Sequence, residues 1–566
     1  MPLNPRSRTS AARVGLVAAL LLVAAGAATV PPPAARAAEP VSVAVVVPLT
    51  TPAPETGLLD AASLELLTSP AGALTRELDA VLATSATIAL DPMIPASIRV
   101  LGSGAPESAL LWLERLEEAR NEVFLLAYAD ADLSAFARAD ALDLAEPIGF
   151  GFALDPAAFG PAATATPTTD PTATPTPTPT PTVTADDDVP PPLPSTAELL
   201  AWPDTLGRIA WPDEGSAAAE DVARYVAAGY DALLLSSANV SETASGAVDL
   251  GGLPGLVADS AASALLRQAS AALDPAARDD ALGRLGVALD GLAAAHPGRS
   301  VVLTLGRGGS ISSLGLAASY AALAARDSTR MTELADVLAA PAGGASIVGD
   351  DPGPDVEVAA ELATAVRDEA SFASILADPA LLIAPRRLEL FALLAVEDLR
   401  EGGWTDRADA YLARSAELLD SVSILDAGSV LVTSSNTAIP IRIANALDFP
   451  VTVRVDAVPR LPRLTIAGPA EVVIEPGSTA TLRLDAQAIT NGRVLVDVTL
   501  SSPTTGTRIG PPRVLDVDLQ AQWETVGLIV GAVVVLVFAG GIVRNVVLRR
   551  RARRAGSAGA GDGAGS

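Results

Sequence analysis

The chain has no cysteine, no lysine and a single histidine. Without cysteine there can be no disulfide, no thiolate metal site and no cysteine nucleophile. One histidine, His296, excludes a multi-histidine metal site, and it stands at a helix end before Pro297-Gly298, where it suits the helix C-terminus. The missing lysine removes Schiff-base chemistry. Aromatic residues are 3% of the chain, so the core must be built of Ala, Val, Leu and Ile. No cofactor or metal is expected. Positive charge is also scarce: 38 arginines face 66 acidic residues, giving a formal net charge of −28. A surface of that sign repels nucleic acid and anionic headgroups. Arginine as the sole base, with abundant Ala, Gly, Pro and Asp, fits a GC-rich genome.

Both ends of the chain read as membrane signals. Arg6, Arg8 and Arg13 precede the apolar run from Val14 to Val30, and Ala35-Arg36-Ala37 fits a small-x-small processing site. This predicts a signal peptide over 1–37, cut before Ala38; an uncleaved anchor is the alternative. Val526 to Val543 is an unbroken stretch of apolar residues and Gly, roughly 27 Å long as a helix and so matched to a bilayer. Trp523 suits one interface. Arg544, Arg549, Arg550, Arg551, Arg553 and Arg554 crowd the other flank, which places the tail inside the cell by the positive-inside rule. The sequence therefore predicts a single-pass plasma-membrane protein with an extracellular N-terminal part and a basic, disordered cytoplasmic tail over 544–566. Ten of the 38 arginines lie in the signal and tail, leaving 28 against 65 acids outside, about −37.

The exported region divides by pattern. From 38 to 350, β-branched runs alternate with helical periodicity: Val41 to Val47, Ala86 to Leu90, Glu122 to Ala127, Gly207 to Ala210, Asp231 to Leu235, Gly255 to Ala258, Ser300 to Leu305 and, weakly, Ala345 to Val348. Repeated strand–helix units predict a parallel sheet, either a (β/α) barrel-like domain or an open doubly wound sheet. A Thr/Pro-rich stretch over 162–194 interrupts it. That stretch is too poor in apolar side chains to build a core and reads as a disordered insertion, or as a linker between two domains. Its threonines could carry O-linked sugars. The segment 355–425 has helical periodicity, with Val358, Leu362 and Val366 on one face, and predicts a small helical bundle. From 428 to 520 the period becomes two: Ile439, Ile441, Ile443; Val451, Val453, Val455; Val494, Val496, Val498, Leu500. This predicts an immunoglobulin-like β-sandwich above the membrane.

In a (β/α) barrel the functional face lies at the C-terminal ends of the strands. Those ends hold Asp91, Tyr128, Asp130, Asp132, Trp211, Asp213, Glu214, Ser236, Ser237, Asp259, Ser260 and Arg307. Carboxylates beside aromatic rings suit a carbohydrate, since paired acids can cleave a glycosidic bond and rings stack on sugars. Asp91, Asp130, Asp213 and Glu214 are the catalytic candidates, with Glu214 the first choice for an acid. Tyr128, Asp132, Trp211, Asp259 and Arg307 are the ligand-binding candidates. The competing reading is structural: Asp91-Pro92 is a common helix start, and Asp130 and Asp132 precede a helix whose dipole favours acids. Gly306-Arg307-Gly308-Gly309-Ser310 after a strand could cradle an anion or form a plain turn. Ser236-Ser237 has no histidine nearby, so no Ser triad is supported.

Several segments resemble one family. They are Pro48-Leu49-Thr50, Thr56-Gly57-Leu58-Leu59, Ala89-Leu90-Asp91-Pro92 with Ser97-Ile98-Arg99, and Leu126-Ala127-Tyr128-Ala129-Asp130-Ala131-Asp132. Near the C-terminus, Asn445-Ala446-Leu447-Asp448-Phe449-Pro450-Val451-Thr452-Val453, Trp523-Glu524-Thr525-Val526-Gly527 and Gly541-Ile542-Val543-Arg544 add to the set. Together they resemble an uncharacterised actinobacterial membrane-protein family, a domain of unknown function termed DUF6049. The resemblance implies no established activity. It implies genes that often neighbour one for a MurJ-type lipid II flippase, and so a place in the cell envelope. The expected function is a non-catalytic envelope scaffold or binding protein, engaging cell-wall glycan or an envelope protein, linked to cell-wall assembly. The alternative is a glycan-active hydrolase using the rim carboxylates.

Overall fold

The computed structural model describes residues 39–160, 192–203, 205–241, 245–307, 312–349, 356–400, 403–425, 428–432, 436–520 and 523–555. The signal segment, residues 162–191 of the Thr/Pro stretch, Gly308-Gly309-Ser310 and the tail from 556 lie outside them.

Ten strands form the first sheet: β1 (Val41–Leu49), β2 (Thr87–Leu90), β3 (Val123–Leu125), β4 (Ile209–Ala210), β5 (Ala232–Ser236), β6 (Ala247–Asp249), β7 (Pro254–Ala258), β8 (Ser300–Thr304), β9 (Thr329–Met331) and β10 (Gly343–Gly344). β1 pairs in parallel with β2 and β8, β2 with β3, β4 with β5, β5 with β7, and β7 with β8. A parallel bridge from Val123 to Thr205, just ahead of β4, joins β3 to that side. The Leu206 N–H donates to the Val123 carbonyl there at 2.9 Å. The parallel pairings thus run in a circuit: β1, β2, β3, β4, β5, β7, β8 and back to β1.

β1 shows why the sequence supports this. Val43, Val45 and Val47 pack on one face among the helices, while Ala44 and Val46 join a separate cluster with Ala89, Phe124, Leu234, Leu256 and Val302. Burial on both faces is the mark of a parallel strand, and it explains a run of valines without polar alternation. That second cluster is completed by Leu334 and Val337 of the short helix Leu334–Leu338. The Glu122 carboxylate accepts the N–H groups of Leu334 and Ala335 at 2.7 and 3.2 Å, which caps this helix at the N-terminal end of the strands.

The structure differs from the pattern reading in several places. β6 and β9 carry no sequence signal of their own at three residues each, although Gly251 and Gly252, both at positive φ, mark the hairpin that folds β6 antiparallel onto β7. The strand expected over 345–348 is instead a two-residue pairing at Gly343–Gly344, with one bridge from Ile347 to Val240. The helices Val356–Ala373, Ala380–Leu393, Val396–Arg400 and Trp404–Leu419 divide their apolar faces. Leu362, Val366, Leu388, Phe391, Trp404 and Tyr411 join the core of the first sheet. Phe372, Ile375, Leu376 and Leu382 join the core of the next unit.

That unit has two sheets. One holds β11 (Val422–Ile424), β13 (Asn436–Asn445), β17 (Ser478–Ala488) and β15 (Leu464–Ile466). The other holds β12 (Ser429–Val432), β19 (Arg508–Leu519), β18 (Gly492–Ser501), β14 (Val451–Pro459) and β16 (Ala470–Ile474). The alternating Ile and Val positions are all buried between them, as a period of two requires. The unit begins at Val422 rather than 428, because β11 pairs with β13.

A final helix, Trp523–Ala555, contains one segment, Gly527–Arg551, long and apolar enough to cross a membrane; its mean hydropathy is 2.3 and none of it is buried in protein. The expectation of disorder from residue 544 is corrected here. Arginine is a good helix former and no Gly intervenes before Gly556, so the helix runs on to Ala555.

Candidate functional site

Because the strands of the circuit are parallel, their C-terminal ends share one side of the sheet. Three of the expected acids lie beneath that surface. Asp91, immediately after β2, is 0% exposed. Its Oδ1 accepts the N–H groups of Met93 at 2.8 Å and Ala129 at 2.9 Å, while its Oδ2 has no partner among the described residues. Ala129 and Asp130 have φ of 57° and 48°, a conformation that non-glycine residues adopt at a cost. The Asp91 carboxyl is one of the contacts that hold this turn. Burial pushes Asp91 well above the ordinary carboxylate range, and the neighbouring charge of Asp130 adds to the rise.

Asp130 is itself buried and lies 3.2 Å from Arg307 Nε, an ion pair without the alignment of a hydrogen bond. Burial pushes Asp130 up to about 7 against the pull of Arg307, with Asp132 and Asp213 adding to the rise. Asp132 is 0% exposed. Its Oδ1 accepts from the backbone N–H of Ser134 at 3.1 Å and of Asp213 at 3.0 Å. Asp132 therefore caps the helix Leu133–Arg138 and fixes the chain after β4.

Above these residues a cleft of about 410 Å³ opens among the ends of β4, β5, β7 and β8. Trp211, Asp213, Glu214, Ser236, Ser260 and Arg307 line it, so the sequence identified much of its wall. The Arg307 guanidinium lies 4.4 Å from the centre of the Trp211 ring and donates to the carbonyls of Trp211 and Pro212. It covers one face of the ring, which leaves less of the indole for a sugar. The Asp213 carboxylate is paired with Arg400 and accepts the Glu214 N–H at 2.7 Å. The exposed Glu214 accepts from the Ser236 hydroxyl at 2.9 Å.

Other expected residues have structural partners. Tyr128 is 2% exposed, donates its hydroxyl to the Gly57 carbonyl at 2.8 Å, and packs between Phe150 and Phe391; burial raises its hydroxyl well above 10. Asp259 caps the helix Ser260–Ala271 by accepting from Ala262 N–H at 2.9 Å. Ser237 accepts the Ser260 N–H at 3.0 Å. His296 is the exposed C-cap of the helix Pro275–Ala295 and does not line the cleft. Among the described residues no group of three or more His, Asp or Glu side chains could hold a metal ion. Pattern reading missed Asn239, Ser263, Arg267, Thr304 and Arg400 in the cleft wall. Each lies inside a helix, strand or turn whose periodicity gives it no distinction.

A family model matches residues 12–557, nearly the whole chain; it describes a family of unknown function, DUF6049. The chain belongs to that family. No curated protein matches it at a significant level. Solved structures resemble parts of this DUF6049 chain. WR4, an MSP family member from C. elegans, is 7% identical with a TM-score of 0.14, covering 18% of this chain and 97% of its own. A PapD-like domain of human CEP192 is 10% identical with a TM-score of 0.15, covering 18% and 86%. E. coli alpha-2-macroglobulin is 18% identical with a TM-score of 0.15, covering 18% of this chain and only 7% of its own. At such scores these likenesses bear on neither fold nor function.

Proposed function

We propose that this DUF6049 member is a non-catalytic, membrane-anchored protein of an actinobacterial cell envelope, whose exported head binds glycan in the cleft at the strand ends. The circuit of parallel pairings supports a (β/α) barrel-like head over an open doubly wound sheet. The two facing sheets from Val422 support an immunoglobulin-like sandwich as the spacer. The signal-like N-terminus and the arginines after the apolar helix support an outward head and an inward tail. The family resemblance adds a link to cell-wall assembly beside a lipid II flippase.

One observation supports binding over hydrolysis. A glycosidase needs two carboxyl groups facing the scissile bond about 5–10 Å apart, one free to donate a proton. Here Asp91 and Asp130 are buried and Asp213 is held by Arg400. That leaves Glu214 as the one acid of the four candidates that is neither buried nor ion-paired among the described residues. The test is co-sedimentation of the full-length protein with purified insoluble cell-wall glycan. The wild type should pellet with the glycan, and Glu214→Ala should pellet markedly less at an unchanged melting temperature. A wild type that stays in solution would remove the cleft reading.

A further inference from the structure

Three arginines reach the cleft, and two are engaged: Arg307 with Asp130 and the Trp211 carbonyl, Arg400 with Asp213. The third, Arg267 of the helix Ser260–Ala271, lines the cleft without an ion pair or hydrogen bond to any described residue. Glu214, in the same wall, bonds the Ser236 hydroxyl instead. The Arg267 guanidinium is thus without a partner among the described residues. Its position is also built. A Cβ added at Gly306 would lie 2.9 Å from the Arg267 Cδ, so glycine makes room for the arginine stem.

Two further side chains in the same wall each leave one hydrogen-bonding position unmatched among the described residues. Ser263, 1% exposed, accepts the Thr304 N–H at 3.0 Å, and its own O–H proton has no acceptor among the described residues. Asn239, 2% exposed, donates to the carbonyls of Ala217 and Val348, and its Oδ1 has no donor among the described residues. The cleft therefore offers the Arg267 cation and the exposed Glu214 carboxylate, with Asn239 and Ser263 buried in its wall.

We propose that the cleft selects a sugar bearing an anionic group, carboxylate or phosphate, and that Arg267 holds the anion. This rests on the reading that the cleft binds glycan. A planar guanidinium suits either oxyanion, while the exposed Glu214 accepts from sugar hydroxyls. The acidic surface would disfavour any anion lacking such a local cation.

The test uses the full-length protein in nanodiscs of zwitterionic lipid, titrated calorimetrically with trigalacturonate, glucose 1-phosphate and maltotriose. One or both anionic probes should bind at least about tenfold tighter than the neutral one. Arg267→Gln should erase that margin with an unchanged melting curve, and Arg267→Lys should keep part of it. Arg284→Gln, on a helix outside the cleft wall and paired with Asp280, should change nothing. Whichever anion is preferred identifies carboxylate or phosphate as the source. Equal binding of neutral and anionic probes would overturn the anion selection and leave the glycan cleft standing. An anion preference that survives Arg267→Gln would overturn the assignment to Arg267. No binding by any probe would overturn both readings.

Discussion

The Nε of Arg307 lies 3.2 Å from Oδ1 of Asp130, and both side chains are almost fully buried. Between them they join the end of β8 to the strained turn after β3, directly under the cleft. An acid in this position is a structural member before it is a chemical one.

The raised Asp130 has a pH signature. Its ordinary value is 3.8 and its folded value about 7, so between those values the native state holds a proton that the unfolded state has lost. The stability this contributes is present below about pH 4, declines as pH rises to about 7, and is gone above that. Chemical denaturation at about pH 5 and about pH 8 should therefore show wild type losing stability relative to Asp130→Asn as pH rises. The slope is at most about 1.4 kcal/mol per pH unit. Asparagine tolerates the positive φ. Parallel curves for the two proteins would show that Asp130 does not titrate in this window.

Asp91 should tolerate loss of charge but not loss of its oxygen. Burial holds its carboxyl well above the usual range and so favours the uncharged form. Asp91→Asn keeps the acceptor for Met93 and Ala129 and should cost less than about 1 kcal/mol. Asp91→Ala strands two buried N–H groups and should cost about 3 kcal/mol. Equal effects of the two changes in thermal melts would mean the acceptor is not what matters.

Tyr128, a ligand-binding candidate by sequence, is packed between Phe150 and Phe391 in the core. Tyr128→Phe should lower stability by about 1 kcal/mol through the lost bond to Gly57. Glycan affinity should stay unchanged. A large affinity loss with no change in melting would restore it to the site.

The orientation of the chain is testable directly. Protease added to intact spheroplasts should digest the head and spare a tag fused after Ser566. Cleavage of that tag from outside would reverse the topology.

Much of this architecture is legible in the sequence where a long pattern imposes it. Ile439, Ile441 and Ile443, or Val494, Val496 and Val498, alternate because one face of each strand meets the opposite sheet. The valines of β1 run together because both faces are covered. The strand-end acids were visible too, yet their roles were not. Whether Asp213 is free depends on Arg400, 187 residues away, and no local spacing reveals such a pair. The join of β3 to the chain before β4 rests on the contacts of Val123 with Thr205 and Leu206, too short a feature to leave a period. Arg267 is one arginine in a helix, and no local spacing shows that it lines the cleft without a partner among the described residues.

The central claim is that the cleft binds glycan without cleaving it. The most direct measurement is release of reducing ends from peptidoglycan and arabinogalactan fragments incubated with the full-length protein. We expect no release above that of a heat-denatured control. Reproducible cleavage by wild type, abolished in Glu214→Gln while the melting curve is unchanged, would contradict the account and make the head a hydrolase.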